Sequence, residues 1–299
     1  MNAPKTLLLT GAHPDDETLG AGGTLAQYAA AGYKVYYVCG TRGEAGEVAP
    51  EFMQGYTSIA DLRTHEMECA AKVLGLTDVI YLGYRDSGMA GTEGNKHPNA
   101  LATAPLEEVA GRIVEAIRRL KPEVIITSDP SGGYGHPDHI AIHQATVTAF
   151  NEAGDPQKYP DAGPAFQSQK LYFHVFRHRF LKCMVKVMQF FGRDMHHMGR
   201  NKDIDLAAFL ENDYPVHCVI RLNKSSIQAR DFAALCHASQ LGGIFRRRGL
   251  FWLFNRIFGQ RDCYMRIVPP VKGRTHERDL FQGENSKIKS QISKTQIKS

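Results

Sequence analysis

Short apolar runs alternate along this chain with longer stretches of helical period. Lys5–Thr10 is an unbroken apolar run too short for a helix and reads as a buried strand. Glu17–Ala31, rich in Ala and Leu and closed by Gly32, reads as a helix. The pair then repeats, with a strand at Lys34–Cys39, a helix at Ile59–Leu74 closed by Gly75, and a strand at Asp78–Leu82. In Leu106–Leu120 the apolar residues fall at 106, 109, 113, 117 and 120, one face of a helix that Pro122 stops. Val124–Thr127 predicts a fourth strand and His136–Phe150 a further helix. Such alternation predicts an α/β fold, a Rossmann-like, mainly parallel sheet with helices on both faces.

Beyond about residue 165 the pattern loosens. It predicts strands at Lys170–Val175 and Val216–Arg221, a helix at Ser225–His237, a basic helix-like stretch at Arg179–Phe191, and an Arg- and aromatic-rich run over Gly242–Met265. The resulting expectation is one domain over residues 1–282, a Rossmann-like part (1–165) with a smaller C-terminal α+β lobe (166–282). A disordered basic tail follows over 283–299, where Ile is the only apolar residue type.

Composition narrows the classes. With 299 residues and 43% hydrophobic, the chain can bury a sizeable core, which excludes general disorder. No apolar run approaches the roughly 18–20 residues that span a bilayer, and Thr6–Thr10 is too brief for a signal-peptide core. The six cysteines are dispersed, without a C-x-x-C pair, which predicts ordinary buried thiols in a reducing, cytoplasmic setting. Charge is unevenly spread. Residues 1–176 hold 13 Lys+Arg and 21 Asp+Glu (−8), whereas 177–299 hold 23 and 10 (+13). The basic back half raises an anionic partner, nucleic acid or a membrane surface, as one reading.

Ligands of an open parallel sheet gather at the carboxyl ends of its strands, so the residues after strands one and four matter most. The first strand runs into Gly11-Ala12-His13-Pro14-Asp15-Asp16-Glu17, and the fourth into a Gly-rich loop ending Tyr134-Gly135-His136-Pro137-Asp138-His139. Three N/O ligands and an open position make a catalytic zinc site, and a further carboxylate can take a proton from water there. A lone Asp before a helix is most often an N-cap; two such clusters at two strand ends outweigh that reading.

Ala12-His13-Pro14-Asp15-Asp16-Glu17 and His136-Pro137-Asp138-His139 resemble the paired signatures of the PIG-L/LmbE-like, zinc-dependent N-acetylglucosaminyl deacetylases. The resemblance runs through Thr41-Arg42-Gly43-Glu44, Leu82–Met89 and His237-Ala238-Ser239-Gln240, and is greatest for the branch of the mycothiol-pathway deacetylase and conjugate amidase. It implies His13, Asp16 and His139 as zinc ligands (Fe2+ suits the same donors), and Asp15 as general base. His136 would protonate the leaving amine or hold charge on the tetrahedral intermediate, Tyr134 would add an oxyanion hydrogen bond, and Asp138 is counted with this catalytic group. Glu47, Arg63, Asp86 and Met89 would meet the sugar. The implied activity is removal of an N-acetyl group from an N-acetylglucosamine-type sugar or glycoside; a second reading is cleavage of a larger glucosaminyl amide.

Rival readings stand beside these. His139 and His143 are four apart, a spacing that zinc sites use elsewhere. Arg63 reads equally as a helix-surface ion pair with Glu66 or Glu68, and either Glu44 or Glu47 can face the pocket. His174, His178, His196 and His197 read as surface residues. The run Gly243–Phe258 suits anionic lipid or nucleic acid, or a lobe whose aromatics pack and whose arginines are solvated. The resemblance favours the lobe. Nucleic acid is then not an expected partner, membrane-surface contact is the lesser reading, and a homo-oligomer stays open. An anion-binding protein with a vestigial metal site is the alternative of another class.

Overall fold

A computed structural model describes residues 3–175, 213–241, 260–273 and 275–283, with 182, 185, 189 and 190 between them. Each apolar run of the front half becomes a strand: β1 (Thr6–Gly11), β2 (Lys34–Cys39), β3 (Asp78–Tyr81) and β4 (Val124–Thr127). Between them lie α1 (Asp16–Ala30), α2 (Ile59–Leu74) and α3 (Leu106–Leu120). A kinked turn, α4 (Gly132–Gly135), then leads into α5 (Pro137–Glu152). The back half adds β5 (Lys170–His174), β6 (Cys218–Arg221), α6 (Lys224–Cys236), α7 (Ala238–Leu241) and β7 (Arg261–Val268).

The strands form one sheet in the order β3-β2-β1-β4-β5-β7-β6. β1 to β5 are parallel, and β7 runs antiparallel to both β5 and β6. Both faces are covered, which explains why the strands read as continuous apolar runs instead of alternating ones. Leu8, Val38 and Ile125 face α3 and α5 through Val109, Ile113, Ile117 and Phe150. Their neighbours Leu7, Leu9, Val35 and Ile126 face the other layer, where Leu25 of α1, Met67 of α2 and Ala233 of α6 complete the core. The sheet thus matches the expected α/β class. Among the described residues no helix is long and apolar enough to cross a membrane.

β7 was hidden in the Arg- and aromatic-rich run because it carries charge inside the sheet. Asp262 is buried, and both the Thr24 amide and hydroxyl donate to it. Arg266 is paired with Glu277. Satisfied charges mask an interior strand from a hydrophobicity pattern. The expected tail beyond Gly283, the run 243–258 and, apart from four residues, the basic stretch 179–191 lie outside the described residues.

The cysteine reading needs correction. Cys69 on α2 and Cys236 at the end of α6 form a disulfide with a Cα–Cα distance of 5.7 Å. A separation of 167 residues left no local spacing by which sequence could reveal the pair. Cys39, Cys218 and Cys263 are buried, as expected, and Cys183 lies outside the described residues.

Candidate metal centre and active site

β1 pairs with β2 on one side and β4 on the other. The loops leaving β1 and β4 therefore part at the point where strand order reverses, opening the crevice where such sheets bind ligands. Both His/Asp clusters sit there.

Asp16, the first residue of α1, spends one carboxylate oxygen on backbone. The amides of Ala12 and His13 donate to its Oδ2 at 2.8 and 3.0 Å. Its Oδ1 then faces His139 Nε2 at 3.4 Å. Burial opposes charge on Asp16, yet His139, His13 and those two amides hold its carboxyl below the usual range. His13 Nδ1 lies 3.2 Å from the same His139 nitrogen. Bonds of about 2.0–2.1 Å arranged tetrahedrally separate their donor atoms by about 3.3–3.4 Å. His139 Nε2 thus stands at a zinc tetrahedron's edge length from His13 Nδ1 and from Asp16 Oδ1, and the nitrogen and carboxylate donors are of the kind that the metal implied by the resemblance takes.

The other nitrogen of His13, Nε2, faces Asp138 Oδ2 at 3.2 Å and Asp86 Oδ1 at 3.4 Å. Such carboxylate–imidazole pairing fixes the tautomer and orientation of a metal-binding histidine. Asp138 is fully buried and accepts from the Ser87 amide and hydroxyl. Asp86 is 4% exposed and accepts from the Gly88 amide. Burial works against its ionisation, but His13 holds its carboxyl well below the usual range. Among the described residues, His13 with His136 and His139, and His13 with Asp86 and Asp138, bring three donor atoms within 4.8 Å of one another; Asp16 meets the first group through His139.

Asp15 precedes α1 with φ 111° and ψ −23°, and its side chain makes no capping bond. The N-cap reading therefore fails for this residue. Its Oδ2 instead lies 3.1 Å from Arg63 Nη2. Burial lifts the Asp15 carboxyl to about 6, with Arg63 pulling it back down. Arg63 is itself buried, and also donates to the carbonyls of Pro14 and Gly43. The surface ion pair with Glu66 or Glu68 does not form; Glu66 accepts from the Ser239 amide and hydroxyl, each at 2.7 Å. Gly43 (φ +70°) is what leaves room for the guanidinium, since a Cβ there would lie 2.0 Å from Arg63 Nη1.

His136 does cap its helix, accepting from the Asp138 amide at 3.1 Å through Nδ1. That leaves Nε2 to carry the ring proton. Burial, with His13 and His139 nearby, pushes its pKa down to about 3. The Tyr134 ring, 37% exposed on the turn between Gly133 and Gly135, stands 5.5 Å from the His139 ring and 5.9 Å from that of His136. Met89 is half-buried and Glu47 exposed. The Glu47 carbonyl accepts from Gln240, while the Glu44 carboxylate accepts from the Asp86 amide.

His143 takes no part. Its Nδ1 bonds the Ser128 carbonyl at 2.7 Å and its ring packs on Phe173, which removes the His139/His143 ligand set. His174 is not a surface residue either; it is half-buried beneath Gly20 of α1 and against the Tyr264 ring. His178, His196 and His197 lie outside the described residues. The sequence reading assigned no role to Glu17 or His237, which meet in a fully buried pair at 2.8 Å. The only signal for them was their presence in the two quoted motifs.

The PIG-L family, described as GlcNAc-PI de-N-acetylase, matches residues 8–150. A 1D-myo-inositol 2-acetamido-2-deoxy-alpha-D-glucopyranoside deacetylase of Geodermatophilus obscurus is 34% identical over 95% of this chain and 99% of its own length. A protein of the same description from Streptomyces avermitilis is 43% identical over 57% of this chain and 61% of its own length. Among solved structures, the 4-carboxy-2-hydroxymuconate hydratase of Pseudomonas putida KT2440 matches with a TM-score of 0.57 and 20% identity, over 90% of this chain and 99% of that one. A hydratase on this fold shows that the architecture alone does not fix the reaction.

Proposed function

The chain belongs to the PIG-L family, and from that membership we propose that it is a zinc-dependent hydrolase removing the N-acetyl group of an N-acetylglucosamine-type sugar. The first substrate to test is the α-glucosaminide of myo-inositol named for its relatives. The observation that carries this reading is the approach of His139 Nε2 to His13 Nδ1 at 3.2 Å and to Asp16 Oδ1 at 3.4 Å at the meeting of the β1 and β4 loops. His13, Asp16 and His139 would hold the zinc, which when bound would supply Lewis acidity toward the amide carbonyl and toward the attacking water; iron(II) suits the same donors.

The remaining steps belong to the chain. Asp15, steered by Arg63, takes the proton of the attacking water. His136 has one ring hydrogen to give, because Nδ1 is occupied by the Asp138 amide. This supports the second of its expected roles, donation of a hydrogen bond to the oxygen that gains charge as the amide carbon becomes tetrahedral. Tyr134, partly open on its glycine-flanked turn, offers a second donor to that oxygen. The departing nitrogen recovers the proton that Asp15 took. Asp138 and Asp86 hold His13 in place, and Glu47 and Met89 stand toward the sugar. The binding-protein reading rests on residues 243–258, outside the described part of the chain.

Metal analysis alongside amine release tests the reading, with N-acetylglucosamine, its α-inositol glycoside and a larger glucosaminyl amide as substrates. We expect one bound zinc, turnover greatest on the inositol glycoside, and a loss of roughly 10²–10⁴-fold in Asp15→Ala. A protein that binds no metal and hydrolyses equally well as Asp15→Ala overturns it.

A further inference from the structure

Asp15 is one of three non-glycine residues with positive φ among the described residues, and its φ of 111° lies beyond the usual left-handed basin. A backbone held there needs neighbours that over-determine it. The Asp15 amide donates to Glu17 Oε2 at 2.9 Å. Glu17 is fully buried, and a buried carboxylate must be paired to remain ionised. Its partner comes from 220 residues away: His237 Nε2 bonds Glu17 Oε1 at 2.8 Å. His237 is itself fully buried at the end of α6, and no partner meets its Nδ1 among the described residues. Its side-chain hydrogen bonding is thus directed at Glu17.

We propose that His237 is a positioning residue for the hydrolysis, acting through the Glu17 carboxylate to fix the Asp15 backbone and so the direction in which the Asp15 carboxylate points. The proposal rests on the reading of Asp15 as general base. α6 is already joined to α2 by the Cys69–Cys236 disulfide, and its Arg230 packs on α1 at Gly22. Those contacts hold the helix in place without His237. The pair with Glu17 instead completes a two-sided hold on Asp15, with Arg63 of α2 on its carboxylate and His237 of α6 behind its amide.

His237→Leu and His237→Asn remove the imidazole donor and leave, among the described residues, only the Thr18 hydroxyl on Glu17 Oε1, whereas His237→Gln retains an N–H at similar reach. Each variant is made in the full chain and assayed as the zinc-loaded enzyme on the α-inositol glycoside of N-acetylglucosamine, with zinc content measured. Amide hydrogen exchange of Asp15 is followed in the metal-free protein. We expect His237→Leu and His237→Asn to lower kcat by about 10²-fold, the scale of a small misplacement of a reacting group, with KM and zinc content unchanged. Exchange at the Asp15 amide should quicken about tenfold as its hold loosens. His237→Gln should restore both. If His237→Leu does not fold, His237→Asn and His237→Gln still decide the matter. Unchanged Asp15 exchange and kcat in a folded His237→Asn, or a His237→Gln as impaired as His237→Asn, overturns the proposal. Asp15→Asn, run in parallel, separates the two readings. An Asp15→Asn enzyme that keeps its kcat overturns the general-base assignment. A His237→Asn enzyme that keeps its kcat where Asp15→Asn abolishes it overturns this one.

Discussion

Removing the Arg63–Asp15 contact separates a buried site pair from a solvated helix-surface one. The two groups lie 3.1 Å apart, with side chains 4% and 14% exposed. At an effective dielectric constant of about 20, unit charges at that distance attract by about 5 kcal/mol, an upper bound. Removing one partner of a buried pair costs roughly 3–5 kcal/mol, because the other charge is left unpaired. Arg63→Leu also strips the Pro14 and Gly43 carbonyls of their donor. A double-mutant cycle removes that confounding term. Asn is the substitution of choice at position 15, since among uncharged residues that keep the shape of Asp it best tolerates positive φ. It still accepts a hydrogen bond, so the cycle reads the charge-dependent part, and a coupling of about 2–3 kcal/mol is expected. Urea unfolding of the metal-free wild type, Arg63→Leu, Asp15→Asn and the double variant at pH 8 measures it. A coupling under about 0.5 kcal/mol, the value of exposed pairs, would refute the buried-pair reasoning.

Three further outcomes are expected. Asp138→Asn removes the carboxylate behind His13 and should weaken zinc binding about 10–100-fold, read by competition with a chromophoric chelator; unchanged affinity would argue against an orienting role. Burial lowers the His174 pKa from 6.5 to about 4, against a weaker upward pull from Asp129, so the unfolded chain takes up this proton first as pH falls. Stability that is complete above pH 6.5 should therefore decline between pH 6.5 and 4 by up to about 3 kcal/mol, and His174→Gln should flatten that slope; equal acid sensitivity in the two proteins excludes the residue as the cause. Closing a loop of 167 residues through Cys69–Cys236 is worth up to about 5 kcal/mol by chain entropy. Reduction of the oxidised protein should accordingly release the two thiols of this pair, counted after denaturation, and lower its urea resistance; six titratable thiols in freshly isolated, unreduced protein would mean that its compartment keeps the pair reduced.

Much of this was legible in the chain itself. The front half could be read because each strand is apolar on both faces, and Gly32, Gly75 and Pro122 mark where helices stop. The two His/Asp clusters stood out because residues at strand ends of a parallel sheet converge whatever their separation in sequence, and the family resemblance singled out His13, Asp16 and His139 within them. The pairing partners were not legible. Arg63 lies on α2 with Glu66 and Glu68 close in sequence, and nothing local says that its guanidinium turns inward to Asp15 while Glu66 turns to Ser239. Asp86, which the resemblance places at the sugar, also turns its carboxylate to His13 Nε2, a contact that no local pattern marks. β7 and the disulfide share one cause. Each depends on a partner more than a hundred residues away or on charges whose satisfaction is visible only in three dimensions.

The uneven charge of the chain takes on a local meaning at this site. Asp15, Asp16, Glu17, Asp86 and Asp138 carry five carboxylates within one cluster of contacts. The fixed cation facing them is Arg63, joined by His237, whose proton affinity Glu17 raises against the effect of burial. With His13 and His139 neutral, as metal ligation requires, five carboxylates face two cations among the described residues, an excess of three negative charges. Backbone amides solvate part of that excess, at Asp16 from Ala12 and His13, at Asp138 from Ser87 and at Asp86 from Gly88. A divalent ion between His13, Asp16 and His139 would leave one. The surplus acid of the front half is therefore what a cation site of this geometry needs in order to hold a dication, and Asp15 can stay charged there only because Arg63 is committed to it. On this view the acidity of residues 1–176 reports the metal chemistry, and any anionic character of the substrate must be sought in the basic residues of the back half.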